Sequence, residues 1–518
     1  MLIHSPWASL QPYPDSTLPE FLENSVDRFR DKTCIANVDG TEYTFGKVWE
    51  SGQRLGRFLQ DQGVQKGDRI AILSANVPEY VVAFQGIVHA GAIVTTLNPL
   101  YKQREMLHQL EDCDASAIFT MRFLQTPVES LAEKLPNVKH VWAIEDVWEM
   151  AKESPPEPHP LKIDPQTDLV ALPYSSGTTG LPKGVMITHS NLIANIRQLL
   201  NTGLTNAYSV YLDFLPFFHI YGMTILMNGG FTNGATQVTM PRFDSQLCLE
   251  LVQRHKVTNL FVVPPALLAL ANFAEAKDFD TSTLQFIVSG AAPLPPEIAK
   301  RAQDIYDCRV LQGYGMTETS AVSNVNPLNR VKSESVGPPI ADTVEKVVSL
   351  EDDSELGPDE TGELLIRGPQ IMRGYWNRPD DTADTITEDG WLRTGDIAKF
   401  DDEGYVYIVD RKKELIKYKA YQVPPAELEA LLMEHPAVAD VAVIPKPDAA
   451  SGEIPKAFIV LKPSETATED DIIEFVADRV APYKKVRQVE FVDTIPKSLS
   501  GKILRRELVD QERAKGGG

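Results

Sequence analysis

A chain of 518 residues exceeds one ordinary domain, and its 43% hydrophobic and 24% charged residues describe a globular protein with more than one core. Its 50 basic and 72 acidic residues leave a formal charge of -22, which repels nucleic-acid phosphates and anionic lipid over most of the surface. Nucleic acid is therefore excluded as a partner, and any anion the chain binds must be held by a local site. The N-terminal MLIHSPWASLQPYPDS shows no basic segment ahead of an apolar one, and no apolar run approaches the roughly 20 residues that span a bilayer. Neither a leader nor a transmembrane segment is expected. Cys34, Cys113, Cys248 and Cys308 are far apart and form no CxxC pair, which argues against a zinc site or a disulfide framework and fits a reducing, cytoplasmic setting.

Along the chain one pattern repeats: a short apolar strand, a loop rich in glycine or proline, then an amphipathic helix. DRIAILSAN precedes VPEYVVAFQGIVHAG, TNLFVVPP precedes ALLALANFAEA, and LQFIVSGAAPL precedes PPEIAKRAQDIY. Such alternation predicts doubly wound parallel sheets. The proline-rich KESPPEPHPLKIDP reads as a surface connection. From about Val336 to Asp410 the pattern changes to short strands separated by turns, a β-rich subdomain. Beyond DRKKELIKYK come a helix PAELEALLMEHP opened by proline, strands VADVAVIP and PKAFIVLK, a helix capped by Thr468, and VRQVEFVD. These predict a small α+β domain, so the expected division is 1–410 and 411–518, with the boundary near Asp410 to Lys413. The terminal AKGGG is set aside as a tail.

The stretch SSGTTGLPKGV, Ser175 to Val185, lies between the apolar LVALPY and the helical THSNLIANIRQLL. Glycine-rich turns at a helix N-terminus point backbone amides at an anion, four hydroxyls add donors, and Lys183 adds a full charge. The expectation is a phosphate grip. Gly184 and Val185 follow the lysine, so the GxxxxGK[ST] loop of nucleoside triphosphatases does not apply. SGAAPL and QGYGMTE also follow short apolar strands and are read as two more loops at the carboxyl ends of parallel strands, where α/β sheets bind ligands. Glu318 offers an oxygen ligand to Mg2+, and Tyr314 a face for a base.

Eight motifs in order, YSSGTTGLPKG, LPFFHIYG, SGAAPL, GYGMTE, GELLIRG, GWLRTGDIAKFDDEGYVYIVDR, KYKAYQVPPAELE and PKSLSGKILRREL, resemble those of the adenylate-forming enzymes. That family includes acyl-CoA synthetases, aryl-CoA ligases, firefly luciferase and peptide-synthetase adenylation domains, and this chain looks most like its fatty acyl-CoA and 4-coumarate-CoA ligases. The resemblance implies an α/β fold in which a large N-terminal domain of doubly wound sheets plus a β-barrel is hinged to a mobile α+β C-terminal domain. It also implies ATP, Mg2+ and coenzyme A as cofactors and a carboxylic acid as substrate. A homodimer is left open.

Carried over motif by motif, the resemblance gives Ser175, Ser176, Gly177, Thr178, Thr179 and Lys183 to the β- and γ-phosphates of ATP. Gly290, Ala291, Ala292 and Tyr314 would frame adenine, while Thr317 and Glu318 would contact the α-phosphate and the metal. Asp396 would bind the ribose hydroxyls beside Arg411, His219 would line the carboxylate site, and Lys502 would bridge the carboxylate and the α-phosphate. Lys413 matches the hinge, and Lys419 and Ala420 the channel for the pantetheine arm of coenzyme A. Tyr221, Met223, Ala321 and Val322 would line the acyl pocket, with Phe217 and Phe218 nearby.

The implied reaction makes an acyl adenylate with release of pyrophosphate, then an acyl-CoA. Two anions must meet, so charge placement does the work and no side-chain nucleophile is needed; GxSxG and HExxH are both absent from the sequence. Other readings separate by product and by residue. A kinase or phosphatase would release ADP or phosphate rather than AMP and pyrophosphate, and a non-catalytic ATP-binding module would lack Lys502 or Glu318. Two departures from the family's patterns matter. Ala321, Val322 and Ser323 replace the Pro-Val-Leu of coumarate ligases, which weighs against a pure phenylpropanoid pocket. Ala420 stands where the family usually carries glycine, which raises an alternative: an adenylation-dominant enzyme, poor at thioester formation, that passes its acyl group to an amine, a carrier protein or another acceptor.

Overall fold

The computed structural model describes residues 1–175, 182–412, 414–418, 421–448, 451–480, 482–498 and 501–516. Two eight-stranded sheets carry the α/β part. In the first, His140–Ala143, Ala115–Thr120, Arg69–Leu73, Ile93–Leu97 and Leu169–Ala171 run parallel, and the sheet continues antiparallel through Lys183–Thr188 to Gly374–Tyr375. In the second, Thr33–Ala36, Thr236–Thr239, Val210–Asp213, Asn259–Val262, Phe286–Ser289 and Arg309–Met316 are parallel, with antiparallel edges at Glu42–Thr44 and Ala321–Val325.

Helices cover both faces of these strands, so Ile70, Ala71 and Ile72 are all buried and the strand reads as an apolar run without alternation. Between the sheets the helices Phe45–Asp61 and Pro78–His89 lie in close contact. The approach depends on Gly56, where a Cβ would stand 2.6 Å from the His89 Cβ. One hydrophobic core spans both sheets.

The β-rich stretch forms a five-stranded antiparallel sheet in the order Ile3–His4, Val344–Val348, Gly362–Arg367, Leu392–Phe400, Val406–Arg411, around a core that includes Val347, Leu364, Ile366 and Phe400. Its strand path is open, so the implied barrel is present as a half-barrel, one edge supplied by the N-terminal strand. The last sheet contains Val438–Asp448, Gly452–Leu461, Ile416–Tyr418, Tyr421–Val423 and Gln488–Phe491 and packs on its own core of Ile416, Leu428, Val443, Ile459, Ile472 and Val489. Pro425 opens the helix Pro425–Met433, and Thr468 caps Glu469–Ala477 by accepting from the Asp471 amide, both as the sequence predicts. Arg411 is still in register with Asp396, and Ile416 begins the last sheet, so the chain crosses between units over residues 412–415. Among the described residues no helix is long and apolar enough to cross a membrane.

Candidate active site

The carboxyl end of Phe286–Ser289 lies beside the middle of Arg309–Met316, with Ser289 in register with Gln312. Gly290 begins the turn after the first strand, and Ala291 holds a φ of 70°, a left-handed conformation that non-glycine residues adopt at strained functional turns. The Tyr221 ring lies so close that a Cβ on Gly290 would be 3.1 Å from it, and the Tyr221 hydroxyl donates to the Val288 carbonyl at 3.1 Å. A narrow shelf results, made by Gly290, Ala291 and Ala292 against the aromatic.

QGYGM is not a loop. Tyr314 lies within Arg309–Met316, which runs past the parallel sheet and pairs antiparallel with Ala321–Val325. Gly315 makes this pairing fit, because a Cβ there would lie 1.6 Å from the Ala321 carbonyl oxygen. The chain then turns at Thr317–Thr319 and delivers Glu318 into a buried position.

Two carboxylate clusters organise the site. Glu318 Oε1 accepts from Ser175 Oγ and from the Tyr375 hydroxyl, each at 2.8 Å. Asp396 Oδ2 accepts from the Tyr314 hydroxyl at 2.5 Å, and Asp396 Oδ1 pairs with Arg411 Nε at 3.2 Å. Lys502 is brought into the field of Asp396, Arg411 and Glu414. Burial, then repulsion from Arg411, pulls its ammonium down to about 8. The contact is assembled by Gly501, which turns at φ 77° directly against Pro265.

The phosphate-grip loop needs a correction. Strand Lys183–Thr188 intervenes before the helix His189–Asn201, and Lys183 pairs in register with Ser175, so the expected helix N-terminus does not directly follow the loop. Ser176, Gly177, Thr178 and Thr179 lie outside the described residues, as do Lys413, Lys419 and Ala420. Lys183 is also not a bare cation: its Nζ pairs with Asp381 at 2.5 Å and stands 5.2 Å over the Tyr375 ring. Tyr375 and Asp381 were not singled out in the sequence, although GYWNRPDD follows closely after GELLIRG and carries the turn-forming Asn and Pro.

His219 Nδ1 accepts from the Tyr221 amide at 3.2 Å, and burial pushes the imidazole down to about 4, so the ring is neutral with its proton on Nε2. Tyr221 and Met223 open a π-helical stretch, Tyr221–Asn228, a geometry frequent at functional sites. Met223 is fully buried, and Ala321 and Val322 are nearly so. Val322 is clamped by the Asn195 side chain, which donates to its carbonyl at 2.7 Å and accepts from its amide at 3.0 Å. Thr317 starts the turn beside Glu318.

A single buried carboxylate bearing neutral donors fits Mg2+, which uses one or two protein carboxylates and completes its shell with substrate phosphates and water. Among the described residues there is no group of three or more His, Cys, Asp or Glu that could hold a metal ion.

Residues 22–376 match the family model for AMP-binding enzymes, and residues 427–502 match that for the AMP-binding enzyme C-terminal domain. The chain is 39% identical to 4-coumarate–CoA ligase 1 of Petroselinum crispum over 517 residues, covering 96% of this chain and 95% of that one. It is 35% identical to a long-chain-fatty-acid–CoA ligase of Bacillus subtilis (strain 168) over 536 residues, covering 97% and 95%. A solved anthranilate CoA ligase in complex with anthranoyl-AMP superposes with a TM-score of 0.90 at 26% identity, covering 98% and 99%. This chain belongs to the AMP-binding enzyme family and is an acid–thiol ligase of the adenylate-forming type.

Proposed function

We propose that the chain activates an apolar carboxylic acid, of the fatty acyl or aryl type, to an acyl adenylate with release of pyrophosphate and transfers the acyl group to coenzyme A. The observation that carries this reading is Lys502, from the C-terminal unit, set beside Asp396 and Arg411 of the half-barrel sheet. A cation there can neutralise the substrate carboxylate and the α-phosphate as they approach, which is where the barrier lies. Asp396 supplies acceptors for ribose hydroxyls, and Gly290, Ala291 and Ala292, with Tyr314 bonded to Asp396, would frame adenine. Glu318, with Ser175 and Thr317, would hold Mg2+ and the α-phosphate; the metal would supply charge neutralisation there. Lys183 and the hydroxyl loop would receive the outer phosphates. His219, neutral, offers an Nε2–H donor to a carboxylate without adding charge.

The acyl end is read from Tyr221, whose ring lies against Gly290, and from the buried Met223, Ala321 and Val322, all apolar or aromatic. The working division is 1–410 and 411–518, with rotation about Lys413 exchanging the adenylation and thioester orientations. A cytoplasmic setting fits the four free cysteines. A panel of fatty and aryl acids scored by pyrophosphate release, with AMP and thioester measured in parallel, tests the assignment. Acid-dependent AMP and acyl-CoA are expected. Formation of ADP, or pyrophosphate release that ignores the acid supplied, would overturn it.

A further inference from the structure

At the opposite edge of the first sheet lies a cavity of about 410 Å3, the size of a small-molecule site. It sits where Ile93–Leu97 and Leu169–Ala171 begin and where Lys183–Thr188 ends. The strand Lys183–Thr188 separates its far end, at His189, from Lys183, while Met186 and Trp376 line the end nearer the candidate active site, Trp376 following directly on the Tyr375 that donates to Glu318. None of its lining residues is among those placed in the candidate active site.

Its lining has two characters. Ile93, Leu169, Met186 and the Trp376 ring form an apolar wall. Facing the same space are Arg373, Lys66 and His189. Lys66 is compensated by Asp168 at 2.6 Å. Arg373, exposed at the rim, donates to the Thr167 carbonyl at 2.7 Å and meets no carboxylate within ion-pair distance among the described residues. His189 is 3% exposed, and its Nδ1 accepts from the Leu18 amide at 3.0 Å. The proton must then be on Nε2, so the ring edge away from Leu18 is a donor. The Trp376 indole Nε1 is buried and has no hydrogen-bond partner among the described residues. Donors and a spare cation beside an apolar wall suit an anion carried on an apolar body, and nothing in the lining other than the paired Asp168 repels it.

We propose that this cavity is a second ligand site, separate from the nucleotide site, for a small amphipathic organic anion: a carboxylate, sulfonate or phosphate on a ring or short chain, its charge on Arg373 and its apolar part against Met186 and Trp376. The probe is 8-anilinonaphthalene-1-sulfonate, titrated by fluorescence into the full chain held with saturating ATP. One saturable site that ATP does not displace is expected. Arg373→Ala should weaken it about 10- to 100-fold, the usual cost of losing a charge-assisted contact. Arg373→Lys should restore most of the affinity, and both variants should keep basal pyrophosphate exchange. Inorganic sulfate at matching concentration should not compete, since it lacks the apolar part. Displacement by ATP, unchanged binding in Arg373→Ala, equal competition by sulfate, or no saturable binding into the millimolar range would each overturn the proposal.

Discussion

Glu318 and Asp396 are equally buried, at 5% and 4% exposure, yet they are held in opposite ways. Asp396 is matched to a cation of the protein: Arg411 pairs with one oxygen and the Tyr314 hydroxyl donates to the other. Among the described residues Glu318 receives two neutral hydroxyls and has no cation within ion-pair distance. Burying a carboxylate without a counter-charge is costly, and such an arrangement is retained where a ligand supplies the charge. The contrast assigns the ends of the site. On the proposed reading, Asp396 would accept neutral hydroxyls, whereas Glu318 would take a cation brought by the ligand.

Lys502, placed at the Asp396 end, gives the largest expected effect. Lys502→Ala should reduce adenylation on the order of 100- to 1000-fold while leaving thioester formation from a preformed acyl adenylate largely intact. Equal losses in the two half-reactions would remove Lys502 from the first step.

The two carboxylates are then compared directly. Glu318→Gln should raise the Mg2+ concentration needed for half-maximal pyrophosphate exchange, because the unpaired charge is what the metal requires. Asp396→Asn should leave that requirement unchanged and raise the KM for ATP roughly 10- to 100-fold, the cost of weakening charge-assisted hydrogen bonds. Were both variants to shift the metal dependence alike, the division of labour would be wrong.

A pH profile sharpens the same contrast. The Lys502 ammonium is drawn down from 10.5 to about 8, so the working charge is present below that pH and lost as pH rises through it. With nucleotide-free enzyme governing kcat/KM, adenylation should fall about tenfold per pH unit above roughly 8. Bound phosphates favour the charged form, so kcat should hold to higher pH. A kcat/KM flat to pH 10 would show that burial does not lower this lysine.

The smallest effect concerns the second half-reaction and leaves both carboxylates alone. Ala420→Gly should speed thioester formation several-fold with pyrophosphate exchange nearly unchanged, since glycine would remove one methyl group from the pantetheine channel that the family resemblance implies. If the alanine enzyme already forms thioester rapidly from purified acyl adenylate, and glycine adds nothing, Ala420 is a neutral departure.

Much of this molecule follows from local pattern. Apolar runs followed by glycine turns and amphipathic helices specify parallel strands whatever lies next to them, which is why Arg69–Leu73, Asn259–Val262 and Phe286–Ser289 were legible, as were the cap at Thr468 and the proline start at Pro425. Motif order sufficed for the family and for most of the residues in the two clusters. Strand pairing was less legible because it is non-local. Nothing within GYGMT announces that Gly315 must pass the Ala321 carbonyl, and KGVMIT reads as a helix approach until Gly374–Tyr375 and Leu169–Ala171 claim it as a strand.

By itself the sequence determined which side chains carry charge, hydroxyls and apolar bulk, and in what order. Only the tertiary structure decided which charges are compensated. Arg411 meets Asp396 across adjacent strands, Asp381 reaches Lys183 from 198 residues away, and Tyr375 closes on Glu318 from a strand at the far edge of another sheet. Electrostatic state depends on distance in space and on burial, and neither is written in the spacing of residues along the chain.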